Sequence, residues 1–372
     1  MKKLTYLLAG AAVLAACQSQ PTSFQVTGSL DGEPLENTNA ILVKYKGRTP
    51  LFLDTVKVEN NQFVFNGVAD TADFANIYFF KEGAERPFKA TDFVLENGNI
   101  QIKLTEQGDI LSGTTNNELV SSLNAKRDSL NNLIKEAFAA IDTSAAANIK
   151  EQQIDQAQKT YKELAGKIND VYKTFIQENI GNMVGYNYFK QVGTSVFSFE
   201  EQEELVGKVP AQYADSDFIK YLKESIEAEK KTAVGQKFID FTMKTPQGKD
   251  LKLSDIVAKN KVTLIDFWAS WCGPCRGEMP NVVKDYKTFK SKGLEIVGVS
   301  LDNNDKQWKD AIKELKITWP QMSDLKGWQC EGAKLYNVRG IPATVLIGQD
   351  GTILAKGLRG EDLTNKLAEL LK

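Results

Sequence analysis

The sequence predicts an α/β C-terminal domain, a mixed sheet flanked by helices, preceded by a small antiparallel β domain and a helical section. Two observations carry that expectation. The apolar period is two from Ser23 to about Leu111, changes to steps of three and four from about Asn116, and gives way to alternating strand and helix after Gly235. The 372 residues also exceed what one core organises, so two or three units are expected.

Composition narrows the function. Hydrophobic residues at 42% and charged residues at 25% are ordinary for a globular chain. The 46 basic and 48 acidic residues leave a formal charge of -2 with no basic block, so no nucleic-acid partner is expected. Histidine is absent, which excludes Ser-His-Asp, Cys-His and His-rich metal chemistry.

At the N-terminus, Lys2 and Lys3 precede a 13-residue apolar run from Leu4 to Ala16 and then Cys17. The run is too short to span a bilayer and suits a signal peptide over residues 1–16. Leu14-Ala15-Ala16-Cys17 resembles the bacterial lipobox, which implies cleavage before Cys17 and a lipid on it. More than one acyl chain on Cys17 would anchor the protein stably to a membrane. The thiols then lie outside the cytosol, where glutathione does not keep them reduced.

Residues 23–112 read as the antiparallel β domain, in short alternating runs with hairpin signals at Asn97-Gly98 and, more weakly, Asn60-Asn61. Residues 116–231 read as a helical domain or linker. Leu119, Leu123, Leu130, Leu133 and Ile134 form one stripe; Ile154, Ala157, Tyr161, Leu164, Ile168, Val171 and Phe175 form a second. The two segments are expected to pair across the loop Asp142 to Ala147. An internal core face is the commoner use of such a stripe, and a homodimer seam is the other. Ser198 with Glu201 fits a capping box, and a further helix is expected from Asp215 to Lys230.

In residues 234–372, strands are expected at Val262 to Phe267 and Leu294 to Val299. Helices are expected near Pro274 to Lys290 and Asp305 to Leu315, then a hairpin turning at Asp350-Gly351 and a last helix from about Leu363. Between the first strand and first helix stand Cys272 and Cys275. A zinc site wants four ligands, and the mature chain offers only Cys330 besides this pair and Cys17. A structural disulfide across Gly273-Pro274 closes too small a loop to stabilise much. A redox centre fits better: Pro274 can open a helix, and a helix N-terminus stabilises the thiolate of Cys272. Cys272 is then the nucleophile and Cys275, one turn in, the resolving thiol.

The run Asp266-Phe267-Trp268-Ala269-Ser270-Trp271-Cys272-Gly273-Pro274-Cys275 resembles the thioredoxin active-site segment. Gly293 to Asp302 and Gly340-Ile341-Pro342-Ala343-Thr344 resemble the membrane-tethered TlpA/ResA branch, and residues 23–112 look like a domain of unknown function found before thioredoxin domains. The resemblance covers about Val234 to Lys372. It implies a thioredoxin-like fold and a Cys272–Cys275 redox disulfide with no other cofactor. It also implies that Asp266 is a buried proton relay to the resolving cysteine, a turn aspartate being the plain alternative.

Glu278 matches an acid thought to tune the thiols and contact substrate, or else is a first-turn glutamate favourable to the helix dipole. Trp271, Gly273, Pro274, Ile341 and a cis Pro342 would form the substrate-binding surface; for Trp271 a core role is the alternative. Pro280 would kink the helix, and Cys330 has no matching role and reads as a buried structural thiol.

The leading function is a lipid-anchored thiol-disulfide oxidoreductase of the cell envelope, facing the periplasm, that reduces disulfides in envelope proteins. Apocytochrome c is among the clients the resemblance implies, with a membrane thiol-disulfide carrier as electron donor. The other readings are a disulfide oxidant or isomerase, and a binding lipoprotein whose thioredoxin unit is mainly structural. Peroxidase chemistry is disfavoured, because no PxxxTxxC pattern precedes Cys272.

Overall fold

A computed structural model describes residues 21–32 and 37–372. The expected signal segment 1–16 and Cys17 lie outside the described residues. The chain forms two compact units, one up to Phe197 with Lys208–Ala211, the other Ser198–Gly207 with Gln212–Lys372.

In the first unit the described strands are β1 (Phe24–Leu30), β2 (Thr38–Lys46), β3 (Thr49–Lys57), β4 (Gln62–Gly67), β5 (Asp73–Lys81), β6 (Lys89–Leu95), β7 (Gly98–Leu104) and β8 (Asp109–Ser112). They make two four-stranded sheets, in the orders β4-β1-β7-β8 and β3-β2-β5-β6. Buried Val26, Phe63, Phe65 and Ile100 of the first sheet and Leu42, Ile77, Phe79 and Phe93 of the second supply the core, as strict alternation requires.

Every pairing is antiparallel except β1 with β7. The two turn signals come out in reverse order of strength. Asn97-Gly98 joins no hairpin, because β6 and β7 lie in different sheets; the Asn97 side chain instead clasps the Ala69 amide and carbonyl at 2.8 and 3.0 Å. Asn60 and Asn61, at φ 51° and 58°, make a true two-residue turn in which Glu59 and Gln62 exchange both backbone bonds at 2.9 Å.

The sheets are followed by α1 (Thr115–Ala139), α2 (Ala147–Asn179) and α3 (Met183–Val196). Leu123 on α1 and Ala157, Leu164 and Phe175 on α2 are buried, so the stripes serve internal packing there. Towards the α1–α2 turn the same stripes stay open at Leu133 and Tyr161. Among the described residues no helix is long and apolar enough to cross a membrane.

The second unit opens with α4 (Phe199–Val206) and α5 (Asp217–Lys231), so residues 116–231 are shared between the units. Ser198 and Glu201 form the expected capping box. After β9 (Thr242–Lys244), β10 (Asp250–Lys252) and α6 (Leu253–Val257) come β11 (Val262–Trp268), α7 (Gly273–Phe289), β12 (Leu294–Ser300), α8 (Asp305–Glu314), β13 (Gln321–Met322), α9 (Glu331–Leu335), β14 (Ala343–Gly348), β15 (Ile353–Lys356) and α10 (Gly360–Leu370). The sheet order is β13-β12-β11-β14-β15, with β11 parallel to β12 and antiparallel to β14. All seven residues of β11 are buried, the mark of a central strand covered on both faces. This is the thioredoxin-like architecture, and its central strand delivers the chain to Cys272.

Candidate active site

Where β11 ends, Ala269 to Trp271 carry the chain into α7. Cys272 is the N-cap of that helix and Pro274 sits in its first turn, where a missing N–H costs nothing. Cys272 and Cys275 are joined by a disulfide, with Cα atoms 5.3 Å apart. The Cys275 amide donates to Cys272 Sγ at 3.2 Å. The sulfur at position 272 is therefore the one that meets the positive end of the helix, which stabilises a thiolate once the bond is opened. Both cysteines are buried in this oxidised form, Cys275 at 2% exposure slightly more than Cys272 at 5%.

The approach loop is pinned by a residue for which the sequence suggests no role. Asp302, fully buried just past β12, accepts from the Ser270 amide at 3.0 Å, from the Ser270 hydroxyl, and from the Ser300 hydroxyl at 2.7 Å. A buried carboxylate is tolerated when charge-assisted bonds satisfy it, and these fix the turn two residues before the nucleophile. The Ser300-x-Asp302 spacing at a strand end was the available signal.

On the other side, the Ile341–Pro342 peptide is cis, as the resemblance implied. The Ile341 carbonyl oxygen lies 3.7 Å from Cys272 Sγ, and Pro342 is buried where the loop enters β14. Gly273 and Pro274 are exposed. Trp271 is half-exposed, with its ring 6.2 Å from that of Trp328, so the core reading fails for it. Trp268 fills the core instead, its indole N–H donating to Gln321 Oε1 at 2.9 Å.

Asp266 lies in the buried middle of the sheet, opposite Gly298 on β12 and Thr344 on β14. Burial, and secondarily the negative charge of Glu278, push its carboxyl up to about 7. An acid in that range exchanges protons near neutral pH. The turn-aspartate alternative does not hold, because the residue is 4% exposed inside a strand.

Glu278 is half-buried, beyond the first turn of α7. Its Oε1 accepts the Gly360 amide at 2.7 Å and its Oε2 the Asn281 side chain at 3.3 Å. It therefore answers the N-terminal dipole of α10 rather than that of its own helix, and holds its charge towards Asp266.

Pro280 lies inside α7. Cys330 is fully buried and unpaired, its thiol pushed up to about 11 mainly by burial, which keeps it out of exchange chemistry. Among the described residues no group of three or more side chains could hold a metal ion.

Residues 234–356 match the AhpC/TSA family, and residues 24–120 match a domain of unknown function, DUF4369. The thiol-disulfide oxidoreductase ResA of Bacillus thuringiensis subsp. konkukian is 33% identical over 144 residues, which are 39% of this chain and 80% of that protein. The ResA of Bacillus subtilis is 30% identical over 135 residues, 36% of this chain and 73% of that protein. A solved thioredoxin domain of a thiol-disulfide oxidoreductase from Bacteroides vulgatus is 36% identical and covers 38% of this chain and 99% of its own, with a TM-score of 0.35.

Proposed function

This chain belongs to the ResA-type thiol-disulfide oxidoreductases, thioredoxin-like proteins of the AhpC/TSA family, and from that premise we propose that it reduces disulfides in proteins of the cell envelope while anchored by lipid on Cys17. The observation that carries the reading is the Cys272–Cys275 pair at the N-terminus of α7, with the Ile341 carbonyl of the cis-proline loop against Cys272 Sγ.

In the reduced enzyme the Cys272 thiolate attacks one sulfur of the client disulfide. A Cys272–client bond forms, the client bond breaks, and the second client sulfur leaves as a thiolate that takes up a proton. Cys275 then loses its proton and attacks Cys272 Sγ. The 272–275 disulfide closes and the client leaves fully reduced, two electrons having passed to it. An external dithiol, in the cell a membrane thiol-disulfide carrier, returns the two electrons to the enzyme. Asp266 serves as the acceptor of the Cys275 proton, burial and secondarily the charge of Glu278 keep Asp266 in its raised range, and Trp271, Gly273, Pro274, Ile341 and Pro342 form the face that meets the client.

Peroxidase chemistry has no support in the residues before Cys272, which run Phe267 to Trp271 without the threonine of a PxxxTxxC pattern. The envelope location rests on the N-terminal pattern of Lys2, Lys3, the apolar run and Cys17.

Fractionated cells expressing the full chain test both parts. Dithiol-driven reduction of a disulfide-bonded protein is expected in the membrane fraction, and Cys17→Ser is expected to move it to the soluble fraction. Absence of reduction in every fraction removes the reductase reading; membrane activity that survives Cys17→Ser removes the lipid anchor.

A further inference from the structure

The family match begins at residue 234, yet α4 and α5 share a compact unit with the redox centre. Beside α5 lies a groove of ≈ 540 Å³ whose walls include Tyr221, Ser225 and Ala228 of that helix and Trp328, Ala333 and Arg339 from the segments around α9. Two features tie it to the disulfide. Trp328 packs beside Trp271, the residue before Cys272, and both rings are about half exposed. Arg339 stands two residues before Ile341, whose carbonyl meets Cys272 Sγ.

Arg339 is fixed in place. Its guanidinium carbon lies 4.7 Å from the centre of the Phe199 ring and 5.5 Å from that of Tyr221, so both α4 and α5 hold it. Its Nε donates to Asn337 Oδ1 at 3.3 Å, while its buried Nη2 has no hydrogen-bond partner among the described residues. An arginine whose plane is held this way on the wall of a groove, with Nη2 unpaired, is preorganised for a carboxylate. Glu224 and Lys334, also on the groove wall, offset each other and leave Arg339 as the net charge.

We propose that this groove receives the extended client segment flanking the reactive cysteine, with Arg339 pairing an Asp or Glu of that segment and Trp271 and Trp328 covering its apolar side chains. The proposal rests on the disulfide-exchange reading. It makes α4 and α5 a specificity element added to the thioredoxin-like domain.

The test uses two synthetic peptides, identical but for Glu or Lys at the positions flanking one cysteine, each as a mixed disulfide with 5-thio-2-nitrobenzoate. Full-length protein, reduced and then freed of reductant, is mixed with each. Cys272 attacks the peptide sulfur, the nitrobenzoate thiolate leaves and is read by absorbance, and Cys275 then displaces the peptide thiol. The Glu peptide is expected to react roughly fivefold faster than the Lys peptide at low ionic strength, with the ratio falling towards one as salt is raised.

Arg339→Gln is expected to bring the ratio to about one at low salt as well, and Arg339→Lys to keep part of it. Each ratio is taken within one sample, so a loss of folded protein does not move it. A wild-type ratio near one, or a ratio unchanged in Arg339→Gln, overturns the groove proposal while leaving exchange intact. Failure of wild-type protein to release nitrobenzoate from either peptide overturns the exchange reading itself.

Discussion

Cys272→Ser is expected to lower disulfide exchange by at least about a thousandfold while leaving the fold intact. Loss of a catalytic nucleophile commonly costs that much or more, and a hydroxyl is close to isosteric with the thiol it replaces. Cys275→Ser is expected to fail differently. It keeps the attacking sulfur at the helix N-terminus and loses the residue that clears the mixed disulfide, so the Cys272–client adduct should accumulate and be released only by added dithiol. Non-reducing electrophoresis with a disulfide-bonded protein checks both. A Cys272→Ser enzyme that still trapped clients, or equal trapping by both variants, would reverse or remove the assignment of nucleophile and resolving thiol.

Asp266→Asn should have the second-largest effect, with opposite signs on rate and stability. Resolution needs an ionised Asp266 to take the Cys275 proton, so its rate in the wild type is expected to rise with pH through about 7. The variant should lose that inflection and run about a hundredfold slower at pH 8. For stability, the folded-state value of about 7 lies above the 3.8 of an ordinary aspartate. The folded chain thus binds the extra proton between those values, and its stability falls as pH rises across that window. Below it, the carboxyl is protonated in both states and costs nothing.

Above pH 7 the buried charge is fully present. Asp266→Asn is then expected to be the more stable protein by up to about 4 kcal/mol, with the gap closing towards pH 4. Denaturant melts of the oxidised proteins at pH 4 and pH 8.5 measure it. A variant less stable at pH 8.5 than the wild type would show that the carboxylate is stabilised there by its surroundings rather than strained.

The redox centre was legible because its signals are local. A buried strand, two cysteines three apart and a proline able to start a helix all lie within Val262 to Pro280, and the Ser198–Glu201 capping box is likewise contained in four residues. What the sequence could not show are contacts made at long range. Asp302 reaches Ser270 across 32 positions and Glu278 reaches Gly360 across 82, and neither distance is encoded in a spacing.

Turn chemistry has the same limit. Asn97-Gly98 permits a reversal but does not say which sheet the next strand will join, and the parallel pairing of β1 with β7 involves strands more than seventy positions apart. The helical stripe announced a buried face without naming its cover, so the allocation of α4 and α5 to the unit that carries the disulfide had to come from tertiary packing. Trp268 and Trp271 look equivalent in sequence; only the end of β11 separates the core residue from the surface one.

The proposed function requires Cys272 and Cys275 to form a couple poised to reduce client disulfides. Its most direct test is the reduction potential of the pair, found by equilibrating the purified protein against glutathione or dithiothreitol buffers. With the Gly273-Pro274 dipeptide of a thioredoxin-type reductant between the cysteines, a value of about -250 mV or lower is expected. A value of about -150 mV or higher would rule out the reductase function and make the protein a donor of disulfides.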